Sequence, residues 1–262
     1  MSLHNNLQGS EENQDAPPAM KQGTGVSGLD VLLGGGYNQG RIILVLGEPG
    51  AGKSILCSQF LHWGATQRGE KGVFIGMNEE KARFFGEMQG LQMDFGKLEN
   101  EGLFSYVDAT DVKHIPDQAR VGRIPVGGRE LGLVNLIDTI QEAIQKTQPK
   151  RIVLDSMADL VFRYPTVEER RPVILDIFET LAATGATCLI TSELLSTSSE
   201  RTLQPEEYLA EGVILLRTQR KGQRTIQVLK MRGSRVDITP RPYAIRDNGI
   251  WVLATEEVYE QP

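Results

Sequence analysis

Residues 47 to 54 read GEPGAGKS: a glycine, four residues, then Gly-Lys-Ser, the spacing of a loop that wraps a polyphosphate. Gly47, Glu48, Pro49, Gly50, Ala51, Gly52, Lys53 and Ser54, with Ile55 next to them, are the candidate nucleotide contacts. Its glycines let backbone amides curl around β- and γ-phosphates, and the N-terminus of the helix that follows adds partial positive charge. Lys53 supplies a full charge to the same oxygens, and the Ser54 hydroxyl is a ligand for Mg²⁺. A second piece of the same chemistry is RIVLDS, residues 151 to 156, an aliphatic run ending in Asp155, which would hold the metal through its water shell. Nucleotide hydrolases that place the water-activating carboxylate directly after this Asp have Glu there, whereas this chain has Ser156. The base must then come from elsewhere. The run VFIGM leads straight into Asn78-Glu79-Glu80, and acids at the C-terminal edge of a neighbouring strand stand where open α/β sheets bind ligands. A plainer reading makes Glu79 and Glu80 first-turn acids favoured by the next helix dipole.

These groups need a scaffold, and the hydropathy pattern supplies one. Short β-branched runs alternate with stretches of helical period, which predicts an α/β fold with a mostly parallel sheet flanked by helices. Strands are expected at Arg41–Leu46, Val73–Met77, Leu103–Asp108, Arg151–Asp155 and Thr187–Thr191. Helices are expected at Lys53–Gln67, Glu80–Gln89, Leu131–Thr147 and Val167–Thr184, the last opened by a capping box of Thr166 and Glu169. Beyond Glu193 the runs Val213–Thr218, Thr225–Met231, Tyr243–Arg246 and Ile250–Leu253 predict a C-terminal antiparallel extension. Asp247-Asn248-Gly249 suits its hairpin turn. Residues 111 to 130 combine glycine, proline and charge without a period, which predicts a loop. No linker divides the chain: a disordered tail is expected over 1–20, one domain over 21–257, and a short tail over 258–262.

The combination TGVSGLDVLLGGG (24–36), the phosphate loop, the strand ending in adjacent acids, RIVLDS, CLITSE (188–193) and VLKMRGS (228–234) resembles the KaiC-type ATPases of the RecA superfamily. The resemblance implies a RecA-like core, ATP and Mg²⁺ as cofactors, and a homo-oligomeric ring of six chains with ATP between neighbours. It implies that the paired acids act on the attacking water. Strand register aligns that pair with Glu79-Glu80 or with Asn78-Glu79, so Glu79 belongs to it either way. Ser234 is placed among the nucleotide contacts. Lys230 and Arg232 are placed on the γ-phosphate bound by the next chain. The period of TIQVLKMR itself sets Lys230 and Arg232 on one face and Met231 on the other, and the bland alternative makes them charges guarding an edge strand. The double-domain clock members phosphorylate a Ser-Thr pair where this chain has Glu207-Tyr208, which argues against self-phosphorylation there.

Composition narrows the partners. The chain has 262 residues, 40% of them hydrophobic, enough for a sizeable core, with Lys plus Arg at 28 and Asp plus Glu at 34, a net charge of −6. A broad grip on nucleic acid or anionic lipid is not expected, which disfavours a RecA- or RadA-like nucleic-acid-dependent ATPase; a non-hydrolysing nucleotide-gated scaffold is the other alternative. Arg217, Arg220, Lys221 and Arg224 read as a solvated turn. Cys57 and Cys188 stand alone, His4, His62 and His114 are scattered, and Phe60 and Trp63 read as core. A cytoplasmic setting, with no membrane span, fits these features.

Overall fold

In the computed structural model the described residues are 20–110, 118–121, 124–158, 164, 166–194, 203–219 and 222–258; over 118–132 the description extends to the backbone only. Tail residues 1–19 and 259–262, together with His4, His114, Arg220 and Lys221, lie outside them. The strands are β1 (Lys21–Gln22), β2 (Tyr37–Asn38), β3 (Ile42–Gly47), β4 (Gly72–Gly76), β5 (Phe104–Asp108), β6 (Gln118–Val121) and β7 (Ile124–Gly127). They continue as β8 (Arg151–Asp155), β9 (Thr187–Glu193), β10 (Gly212–Thr218), β11 (Arg224–Met231), β12 (Arg241–Arg246) and β13 (Gly249–Val252). The helices are α1 (Leu29–Leu32), α2 (Lys53–Arg68), α3 (Lys81–Gly90), α4 (Phe95–Asn100), α5 (Gly128–Thr147), α6 (Val167–Ala182) and α7 (Pro205–Leu209).

Nine strands form one sheet in the order β13-β12-β11-β10-β3-β9-β8-β4-β5. The strands from β10 to β5 run parallel, and β10 through β13 pair antiparallel. This is the expected α/β architecture with its C-terminal antiparallel part. Strand β3 sits inside the sheet and is buried throughout, as a run of IILVLG must be when both faces are covered. Ile42, Leu44 and Leu46 point to a cluster built with Leu136 and Ile140 of α5 and Ile174 and Ile177 of α6. Ile43 and Val45 point to the opposite cluster, with Leu56 and Phe60 of α2, Phe84 of α3 and Phe95 of α4. Fully burying a side chain of this size contributes about 1.5–3 kcal/mol, so the strand that feeds the phosphate loop is anchored from both sides.

Local signals set several boundaries. Thr166 Oγ1 accepts the Glu169 N–H at 3.2 Å, and the Glu169 carboxylate accepts the Thr166 N–H at 3.3 Å, so the capping box starts α6 where the sequence puts it. The two-residue turn Asp247-Asn248 joins β12 to β13, with Arg246 opposite Gly249. One expectation and one alternative reading need correction. Residues 111 to 130 are not a loop throughout: β6 and β7 pair antiparallel, and α5 begins at Gly128. Pro125 hid the hairpin, but a two-stranded ribbon accommodates a residue without an N–H on its open side. Nor is β11 an edge strand. It lies between β10 and β12, because periodicity reports which side chains share a face and says nothing of strand order.

Candidate nucleotide-binding site

Strand β3 ends at Gly47, the chain turns through Glu48 to Gly52, and α2 starts at Lys53. Gly50 and Gly52 hold φ of 78° and 93°, a region that glycine enters without the penalty a Cβ would bring. A Cβ on Gly52 would also press to 3.1 Å from Ile245 Cδ1 and 3.2 Å from Ile250 Cδ1, so the C-terminal hairpin forms the wall behind the loop. Ala51 is buried, and its carbonyl accepts the Tyr243 hydroxyl from β12. Pro49 and Gly50 are exposed, while Ser54 and Ile55 are half-buried at the first turn of α2. Lys53 Nζ curls back over the loop and donates to the carbonyls of Gly47 at 2.8 Å and Glu48 at 3.1 Å. Burial lowers its pKa, and the negative charges of Asp155 and Glu193 oppose that shift.

Parallel register brings the acids to the same end of the sheet. Gly47 pairs with Glu193, and Gly76 pairs with Asp155, so the C-terminal ends of β3, β9, β8 and β4 lie side by side. The Asp155 carboxylate accepts the Thr191 hydroxyl from β9, and Asn78 Nδ2 donates to Ser156 Oγ at 3.1 Å. Glu79 follows β4. Its side chain is 24% exposed and lies 3.3 Å from the Arg83 guanidinium, while its backbone carbonyl accepts the Tyr106 hydroxyl at 2.5 Å. Burial raises the Glu79 pKa; the charge of Glu87 adds to this, Arg83 opposes it, and Asp155 adds again. Glu80 is exposed at the start of α3, so the two acids occupy unlike surroundings.

The sequence reading missed Glu193. Its signal was present: CLITSE is an aliphatic strand closing on an acid, the pattern that singled out Asp155. No group of three or more His, Cys, Asp or Glu among the described residues could hold a metal ion by itself. Ser54 and Asp155 fit Mg²⁺ as it binds beside phosphates, where the protein supplies few ligands and phosphate oxygens and water supply the rest.

Lys230, Arg232 and Ser234 are not part of this cluster. Met231 lies opposite Gly212, and Gly212 pairs with Ile43, whereas the phosphate loop begins opposite Leu216. From Ile43 to Gly47 the strand rises about 13 Å, at roughly 3.3 Å per residue. The three residues therefore stand at the other end of the sheet from their own chain's loop. Lys230 Nζ donates to the carbonyls of Glu207, Tyr208 and Ala210 at 3.1, 3.3 and 2.5 Å. Arg232 is exposed. Ser234 Oγ accepts from Lys21 Nζ at 2.7 Å and donates to Asn38 Oδ1 at 2.8 Å, which ties it to the N-terminal strands.

Comparison with known proteins bears on the family and the fold. Residues 22–257 match the family model described as "ATPase: KaiC". The chain is 33% identical over 239 residues to a UPF0273 protein of Aeropyrum pernix, covering 90% of this chain and 94% of that one. It is 32% identical over 226 residues to the circadian clock protein KaiC3 of Synechocystis sp., covering 85% of this chain but 43% of that longer relative. A crystal structure of a KaiC-like protein from Pyrococcus horikoshii superposes with a TM-score of 0.75 at 29% identity, over 90% of this chain and 99% of the other. Among the described residues no helix is long and apolar enough to cross a membrane. With a phosphate loop closing the central strand, acids on the neighbouring strand ends and a family match over nearly its whole length, the chain belongs to the KaiC ATPase family.

Proposed function

We propose that the chain hydrolyses ATP with Mg²⁺ in a ring, hexameric as in the family resemblance, with residues 21–257 as the ATPase unit and each nucleotide shared between neighbours. The observation that carries this reading is the separation of the two halves of the site. One end of the sheet holds the loop, Lys53, Asp155 and Glu79, and the far end holds exposed Arg232. A chain cannot bring its own Arg232 to its own loop across the length of β3, but a second copy can. Ser54, and Asp155 through water, would hold Mg²⁺, which when bound would offset the negative charge of the phosphates. The loop amides and Lys53 bind the phosphates, Lys53 exchanging its two loop carbonyls for phosphate oxygens. Glu79 orients the attacking water and takes its proton; a carboxylate with raised pKa suits that work better than exposed Glu80. The neighbour's Arg232 stabilises charge on the transferred phosphoryl group, a contribution of about 10³ to 10⁵ in rate for such fingers. Self-phosphorylation is not included: Glu207 stands in α7, and Ser196, Thr197, Ser198, Ser199 and Thr202 lie outside the described residues.

The test mixes two inactive chains. Lys53→Ala retains Arg232, and Arg232→Ala retains Lys53, so rings containing both have some complete sites. Partial recovery of turnover is expected. Mixed rings verified by native mass measurement that remain inactive would remove the shared site.

A further inference from the structure

Glu79 stands on a turn that is fastened from a strand two places away from its metal-binding neighbour. Strand β4 is bonded into the sheet as far as Met77, whose N–H donates to the Asp155 carbonyl at 2.8 Å. Helix α3 takes over at Glu80, whose carbonyl accepts the Phe84 N–H at 3.1 Å, and no side chain caps the helix there. Between these points the chain leaves the sheet. Asn78 Nδ2 donates to Ser156 Oγ at 3.1 Å, and the Glu79 carbonyl accepts the Tyr106 hydroxyl from β5 at 2.5 Å.

The hydroxyl reaches that carbonyl because the packing directs it. Parallel register sets Tyr106 beside Phe74, and both side chains enter the same core cluster. The Tyr106 ring stacks on Phe74 at 5.6 Å with 12° between planes and meets Phe84 of α3 at 5.2 Å. Only 8% of the residue is exposed, so its close-packed neighbours leave the ring little room to swing. Its far end passes over Gly76. A Cβ on Gly76 would overlap the hydroxyl oxygen and stand 3.2 Å from the Glu79 carbonyl. The φ of Gly76 lies outside the left-handed region, so what its missing side chain provides is room for this approach. Burial raises the Tyr106 pKa, which keeps the phenol protonated and therefore a donor.

We propose that Tyr106 is a positioning residue for ATP hydrolysis: its hydroxyl, admitted by Gly76, fixes the backbone of Glu79 where the carboxylate can reach the attacking water. The proposal rests on Glu79 as the base. Gly76 pairs with Asp155, so the turn held by Tyr106 starts beside the strand end that carries the metal-binding acid. The Glu79 carboxylate lies 3.3 Å from Arg83, which also holds Glu87 at 3.0 Å. Its side chain thus has a partner on α3, and its backbone has one on β5. When the carboxylate leaves Arg83 for water, it turns about a main chain that Tyr106 keeps in place. Without the hydroxyl the turn is free to shift, and a group misplaced by about 1 Å loses on the order of 10²-fold in rate.

Hydrolysis in a single turnover, with the assembled full chain in excess over ATP and Mg²⁺ present, reads the step in which the base acts. Tyr106→Phe keeps the ring and its stacking and removes the oxygen. The hydrolytic rate should fall about 10- to 100-fold with ATP affinity unchanged. Because Tyr106 acts through Glu79, adding Tyr106→Phe to Glu79→Gln should lower the rate no further, as for residues that work as a unit. Gly76→Ala displaces the hydroxyl but leaves it in the chain, and it should give the same fall and the same lack of additivity. A merely structural role would lower the unfolding temperature and multiply the losses in the double variant. An unchanged hydrolytic rate in Tyr106→Phe, or losses that multiply, overturns the positioning role. Undiminished hydrolysis by Glu79→Gln overturns the base on which it rests, whereas loss in Glu79→Gln beside a full rate in Tyr106→Phe sinks the positioning alone.

Discussion

A cation stands at each end of helix α2, half-buried Lys53 and fully buried Arg151, and the two are held in opposite ways. At its N-terminus Lys53 bonds two carbonyls of the loop it belongs to and faces acids on neighbouring strands. Toward its C-terminus Arg151, contributed by β8, is fully buried and lies 2.6 Å from Glu70, with bonds to the carbonyls of Gly23 at 2.8 Å and Phe60 at 2.9 Å. Its guanidinium stacks 4.4 Å from the Phe60 ring and 5.2 Å from the Trp63 ring. A Cβ on Gly64 would sit 2.1 Å from Arg151 Nε, so the helix is shaped to admit this side chain. Arg151 is enclosed by permanent partners that fasten the N-terminal segment, α2 and the sheet together. Lys53 sits at an accessible loop whose carbonyls it can exchange for a ligand. A cation that stabilises the fold is recognised by enclosure among fixed partners, and one available to a ligand by replaceable contacts.

Crossed variants give the largest effects on this contrast. Lys53→Ala should remove ATP turnover while changing folding stability by no more than about 1 kcal/mol, since it loses ordinary hydrogen bonds to carbonyls. Arg151→Ala should cost about 3–5 kcal/mol, because it removes the cation from Glu70, leaves the carbonyls of Gly23 and Phe60 without that donor and opens a cavity beside Gly64. Urea unfolding together with nucleotide binding at a temperature where both variants are folded separates the outcomes. Arg151→Ala that folds as well as the parent but fails to bind ATP would reverse the assignment.

The next effect is smaller and concerns the acids. Glu79→Gln should retain ATP binding and lose about 10² to 10⁴ in hydrolysis, the usual value of a positioned base. Because burial raises the Glu79 pKa, the parent's rate should fall with acidification at a higher pH than an ordinary carboxylate would give. The base works deprotonated, so activity is present above that pKa and lost below it. The Gln variant should lack this acid limb. Glu80→Gln producing the larger loss would assign the base to the exposed acid instead.

Much of this arrangement was legible in the sequence, for reasons that differ by residue. Ile42–Gly47 and Lys53–Arg68 lie within a residue of their expected bounds, since the glycine-rich loop marks the end of one and the start of the other. Arg151–Asp155 agrees at both ends. Arg151 itself drew no notice, because a cation opening a strand reads as surface until the tertiary structure places Glu70, Phe60 and Trp63 around it. Helix α4 was missed although Asp94 accepts the Lys97 N–H at 2.9 Å, since six residues carry too little period to detect. Strand order was invisible to periodicity, and with it the distance separating Lys230, Arg232 and Ser234 from their own chain's loop. Glu193 was missed for want of applying the Asp155 pattern a second time.

The smallest effect tests how firmly the loop is braced. The Tyr243 hydroxyl donates to the Ala51 carbonyl, and burial pushes the phenol up to about 12, so it remains a donor across the physiological range. Tyr243→Phe keeps the ring in the core and leaves a buried carbonyl without its partner, a cost of about 1–3 kcal/mol. Ala51 lies inside the loop, between Gly50 and Gly52, so a shift there misdirects the amides that meet phosphate. The expected result is a lower unfolding midpoint and a KM for ATP raised by a few-fold, about 1 kcal/mol of binding, with kcat nearly unchanged. Since the phenol does not titrate near neutrality, the ratio of variant to parent should stay constant with pH, whereas the ratio for Glu79→Gln should rise toward acid. A Tyr243→Phe effect that varies with pH alongside Glu79 would mean that the hydroxyl acts on the carboxylates and not on the loop.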